Sequence, residues 1–243
     1  MEGIEKAIKF IAELAVQAEK PEAIEIGDKI YCTKQLKQYN KANKAEPIEA
    51  RTLTSLVDYI KENRHELRDH MIIHVVSHTN VRLFSGLMEE RDRETLFEVT
   101  ARLPHYEYDY GYDQESFLIA MQACFAPSAD REAVTIVASN IVETQQATFS
   151  DDGVTQQAVI KTGIASKDQA LVPNPVKLIP YRTFMEVPQP ESDFIFRISD
   201  GPRFKLVEAD GGRWKYEAVE NVKKYLTEAL ADIPDREKIT IIA

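Results

Sequence analysis

The apolar residues of this chain change their spacing partway along it. In the long run ADREAVTIVASNIVETQQ they recur every three or four positions, whereas in ATFSDDGVTQQAVI, which follows it, they alternate. The first period places side chains on one side of a helix, the second on one side of a strand. A chain that gathers its helical runs toward one end and its alternating runs toward the other folds as α+β, because a parallel doubly wound sheet needs the two interleaved. The reading is an antiparallel sheet or sheets with several packed helices, a helical N-terminal half and a β-rich C-terminal half. One compact domain spans 1–243, with 144–170 as the place for any sub-boundary.

Individual segments carry that class. Ile4, Ile8, Ile11, Leu14, Ala15 and Ala18 make a helical stripe that Pro21 ends, and EIGDKIYC after it reads as a short strand. KQLKQYNKANKAEP is a polar connector. TLTSLVDYIKEN is a helix with Thr52 or Thr54 as N-cap and Leu53, Leu56, Val57 and Ile60 on one side. MIIHVVS and VRLFSGL form a hairpin around HTN, and LFEVTAR is a third strand closed by Pro104. Asp113 caps the helix QESFLIAMQACF, Pro127 and Ser128 end it, and ADREAVTIVASNIVETQQ is a second long helix. Asp152-Gly153 marks a hairpin tip, and the proline-punctuated 172–192 is edge strand or loop. FIFRIS, RFKLVEA and RWKYEA then read as strands separated by DGP and DGG. VENVKKYLTEALADI is a helix, and KITIIA is a final strand.

Charge excludes one class of partner. With 30 basic and 40 acidic residues the net charge is −10, which disfavours a broad phosphate-binding surface. The N-terminal helix mixes Glu and Lys among its apolar residues and no run approaches a membrane span, so the expected location is cytoplasmic. Cys32 and Cys124 match no ligand spacing and read as reduced, mainly structural thiols. His70, His74 and His78 recur every fourth residue, but a strand would hold His74 and His78 about 13 Å apart, too far to share a metal ion. No phosphate-cradling glycine motif, GxSxG or acid–base pair is present, so no catalytic residue, metal or cofactor is expected, and the chain is not expected to be an enzyme.

Two features remain as binding candidates. Residues 173–215 carry seven basic residues against six acidic ones, and Arg182, Arg197, Arg203 and Lys205 lie in or beside strand-like segments that can aim cations at phosphate or carboxylate. A solvated sheet face is the plain alternative. In LPHYEYDYGYDQESF, Tyr106, Tyr108, Tyr110 and Tyr112 alternate, and a strand would put all four rings on one face. Packing, in the core or at a subunit contact, comes first for these rings; stacking on a small ligand, through Tyr108 and Tyr110, comes second.

The order of segments from about residue 50 onward, together with TLTSLVDYI and LIPYRTF, resembles the YfdQ-like family of phage and prophage proteins, a domain of unknown function. The resemblance implies a phage accessory protein acting in the host bacterium. On it and the residues above, the expected function is a non-enzymatic protein that oligomerises with itself and binds a small anionic ligand, such as a nucleotide signal of host defence that it sequesters. The ligand-binding residues would be Arg182, Arg197, Arg203, Lys205, Tyr181, Tyr108 and Tyr110. One alternative is an accessory of phage DNA replication or recombination that acts on single-stranded DNA or protein partners; another is a self-assembling shell protein.

Overall fold

The computed structural model describes residues 2–27, 29–34, 44–63, 70–88, 91–141, 148–151, 156–159, 171–199, 201 and 203–243. The chain forms two compact units, Met1–Lys44 and Ala45–Ala243. In the first, α1 (Glu2–Glu19) is followed by β1 (Ala23–Ile26) and β2 (Lys29–Cys32), paired antiparallel with Ala23 opposite Cys32. The single strand expected over EIGDKIYC is thus a hairpin, broken at Gly27, whose φ of +66° is a left-handed turn that glycine adopts without strain. Every described side chain of this unit is exposed. Most of the polar connector, 35–43, lies outside the described residues, as do the tip at Asp152-Gly153 and much of 144–170.

The second unit is α+β, with packed helices on mixed and antiparallel sheets. One sheet joins β3 (Ile48–Ala50), β4 (Met71–Ser77), β5 (Asn80–Phe84), β6 (Thr95–Thr100) and β13 (Ile239–Ile242) in the order β13-β4-β5-β6-β3. The β4–β5 hairpin around His78 and Thr79 is the one the sequence predicts. Met71, Ile73 and Val75 alternate onto one face, which also receives Val81, Leu83, Phe97 and Val99. α2 (Leu53–Glu62) and α5 (Trp214–Ala229) cover that face with Leu53, Leu56 and Ile60 and with Val222 and Leu226. Thr52 is the N-cap of α2, its hydroxyl accepting from the Ser55 amide at 3.3 Å.

The second sheet is antiparallel: β10 (Val176–Leu178), β11 (Ser192–Ser199) and β12 (Arg203–Glu208), with Phe196 opposite Leu206. Its inner face (Val176, Leu178, Phe194, Phe196, Phe204, Leu206) packs on α3 (Gln114–Cys124) and α4 (Ala129–Asn140). Phe117 stacks on Phe204 with ring centroids 5.2 Å apart. Asp113 caps α3 as expected, and Ser128 caps α4. Gln114 closes the far end of α4: its Nε2 donates to the Ala138 carbonyl at 2.7 Å and the Ile141 carbonyl at 2.8 Å. Gln114→Ala leaves half-buried carbonyls unpaired, and urea titration should show a loss of about 1–2 kcal/mol. A third sheet joins β7 (Thr148–Asp151), β8 (Gln156–Val159) and β9 (Leu171–Val172).

Two further expectations are corrected. RWKYEA is no strand: it opens α5. Trp214, Ala218, Val222 and Leu226 are buried at four-residue steps, while Tyr216, which alternation would bury, is 79% exposed. The DGG before it turns through Gly211 and Gly212 at φ of +63° and +79°, with the Gly212 amide donating to Asp210 Oδ1. The tyrosine stretch is likewise no regular strand. Asp109 at φ +61° breaks the extended run, so the rings gather instead of lining up. Only Tyr112 pairs, forming a two-way bridge with Phe204, while the Asp109 amide donates to the Leu206 carbonyl along the same edge of β12.

Candidate functional site

The second unit holds a cavity of about 360 Å³ beside the β4–β5 turn and the start of α5. Its most constrained wall residue is Arg182, 7% exposed. The chain after it is irregular because prolines 188 and 190 cannot donate to a ladder, and one side chain replaces the missing hydrogen bonds. Gln189 Oε1 accepts from the amides of Arg182 and Thr183 at 3.0 and 3.1 Å, and its Nε2 donates to the Phe184 carbonyl at 2.9 Å. Thr183, fully buried, donates from Oγ1 to the His78 carbonyl at 2.6 Å and ties this loop to the β4–β5 turn.

The Arg182 guanidinium lies 3.8 Å from the Trp214 ring centroid, with Phe194 and Tyr108 at 5.5 and 5.8 Å. Nη1 donates to Glu208 Oε1 and Nη2 to Ser192 Oγ. Burial pulls its pKa below the usual value while the negative groups around it, Glu208 and Asp210 among them, push the other way, so the group stays cationic. His78 meets Trp214 edge-on at 4.8 Å; burial, then Lys215, then Arg182 lower its pKa, which keeps the imidazole neutral at pH 7. Burial raises Cys124, so its sulfur is a thiol and a poor nucleophile. Burial also raises Tyr106 and Tyr108, which remain phenols. Tyr106 Oη, Arg182 Nε and Trp214 Nε1 have no hydrogen-bond partner among the described residues.

The residues singled out from the sequence divide between two places. Arg182, Tyr108 and Tyr181 line the cavity. Arg197, Lys205 and Arg203 share the other face of the β11–β12 hairpin, opposite the side that carries Phe194 and Phe204. Lys205 is paired there with Asp109 at 2.7 Å, and Arg203 Nη1 donates to the Gly111 carbonyl at 3.4 Å. Tyr110 is half exposed, edge-on to Tyr112 at 4.9 Å, and away from the cavity lining. Packing accounts for most of the tyrosines: Tyr106 stacks on Tyr112 at 5.1 Å and sits 5.0 Å from Tyr108. Trp214, His78, Glu208 and Lys215 also line the wall and were not marked as binding residues by any motif. Trp214 is the sole tryptophan, the one signal that pointed to it.

Among the described residues, no three potential metal ligands cluster and no helix is long and apolar enough to cross a membrane. Comparisons with protein-family models, with curated proteins and with solved structures return no match.

Proposed function

We propose that the protein is a non-enzymatic binder of a small, flat anion, taken up in the cavity beside Arg182 and Lys215. The observation that carries this reading is an arginine only 7% exposed, its guanidinium held against the sole tryptophan in the wall of a cavity of about 360 Å³. That volume is at the lower end of small-molecule sites. Glu208 and Asp210 act on Arg182 and His78 is neutral, so Lys215 is the wall's exposed cation, which suits a ligand of low negative charge. The aromatic side chains suit a planar ring. A protonated Cys124 and phenolic tyrosines favour holding a ligand over transforming it. With the YfdQ-like resemblance, the ligand class is a nucleotide, and the role is to withdraw a nucleotide signal of host defence.

Because Trp214 is the only tryptophan, its fluorescence reports on this site alone. Titration with a panel of mononucleotides and cyclic dinucleotides should give a saturable change with at least one of them. Lys215→Ala, a change at an exposed residue, should weaken that ligand about tenfold, the loss expected for one charge-assisted contact. No change with any nucleotide at millimolar concentration, or equal affinity in the Lys215 variant, refutes the reading.

A further inference from the structure

The described residues of Met1–Lys44 form no buried core: none of their side chains is buried, and a helix in a protein takes most of its stability from packing its apolar face. Chains of about this length generally need a staple or an oligomer to supply the missing core. Yet α1 carries a continuous apolar face. Ile4, Ile8, Phe10, Ile11 and Leu14 are 47–68% exposed. On a heptad with Ile4 and Ile11 at position a, Leu14 falls at d, Ile8 at e and Phe10 at g, while Glu5, Lys6, Lys9 and Glu13 fall at b, c and f.

We propose that this face of α1 is a self-association surface, covered by α1 of other copies of the same chain. Three points select that occupant. A face this poorly able to stand alone needs a partner present whenever the chain is, and a second copy is the partner always supplied in proportion. The five side chains offer roughly 500–700 Å² of apolar area per copy, close to the ~800 Å² each partner contributes to a standard interface. Outside that face α1 carries four acids (Glu2, Glu5, Glu13, Glu19) against two bases (Lys6, Lys9). It therefore lacks the excess of Lys and Arg with which an interfacial helix grips an anionic bilayer. Apolar residues at e and g as well as a and d widen the face beyond the narrow seam of a two-stranded coil, which points to three or more helices around one axis. This inference uses no part of the ligand reading.

The test is the mass of the full chain by light scattering and sedimentation equilibrium at micromolar concentration. The wild type should run at an integer multiple, three or more, of 27.7 kDa. The double substitution Ile8→Glu with Ile11→Glu should run at 27.7 kDa, its association weakened more than a hundredfold, with the thermal transition of Ala45–Ala243 unchanged. Lys9→Glu, on the polar side, should keep the wild-type mass. A monomeric wild type overturns the proposal, including one that sediments with phosphatidylserine vesicles. So does a double variant of wild-type mass, or one whose mass is unchanged while the main thermal transition falls, which would place the face against its own chain. Since nucleotide titration is read at Trp214, loss of either result leaves the other standing.

Discussion

Trp214→Ala should lower folding stability by about 3–5 kcal/mol. The indole is almost fully buried at the first residue of α5 and meets Arg182 on its face and His78 at its edge. Truncating a buried aromatic forfeits its transfer free energy and leaves a void, with the cost set by how far the surroundings collapse. Here the neighbours are held from elsewhere, Arg182 by Glu208 and Ser192 and the His78 backbone by Thr183, so collapse is limited. The indole nitrogen has no partner to lose, so the loss is packing and cation–π attraction. Trp214→Phe, which keeps a ring, should recover more than half of it. Urea unfolding followed by far-UV circular dichroism measures both; a loss below 1 kcal/mol for alanine would show that the indole is not a structural element of the wall.

Glu208→Ala should cost about 2–3 kcal/mol, and more than Arg182→Met. The two partners of this ion pair differ in exposure: the Arg182 side chain is 8% exposed and that of Glu208 38%. Removing the carboxylate leaves a guanidinium buried with its nearest counter-charge gone, the expensive way to break such a pair. Asp210 lies close enough to act on Arg182 and moderates the penalty. Removing the arginine instead leaves Glu208 able to take up water, and methionine fills part of the space against Trp214, so about 1 kcal/mol is expected. The order of the two variants is the measurement that matters. If Arg182→Met is the worse, the pair is held by the packing of the arginine stem rather than by its charge.

How far the fold could be read from the sequence depended on whether the deciding interaction was local. Thr52, Asp113 and the β4–β5 turn act within four residues, and each was legible. RWKYEA misled because alternation of Trp214, Tyr216 and Ala218 fits a strand as well as a helix; only the continuation to Val222 and Leu226 distinguishes them. The tyrosine run failed for a similar reason, since the left-handed Asp109 that ends the alternation has no glycine to announce it. At the site, Arg182 and Tyr108 stood out by residue type. His78 and Glu208 join them only through pairing of distant segments, which no spacing encodes. The other cations, Arg197, Arg203 and Lys205, share a stretch with Arg182 but not a face: Arg182 reaches from the loop before β11 to Ser192 and Glu208, on the side of Phe194, whereas alternation along β11 and β12 sends the other three to the opposite side.

The tyrosine segment has an effect that its ring packing does not suggest. Through the Asp109 amide and the Tyr112–Phe204 bridge it occupies the outer rim of β12. An uncovered strand rim is a template on which another polypeptide can add itself, the usual start of fibril growth. With Asp109 and Tyr112 in place, the most aromatic sheet of the protein offers no such template on that side.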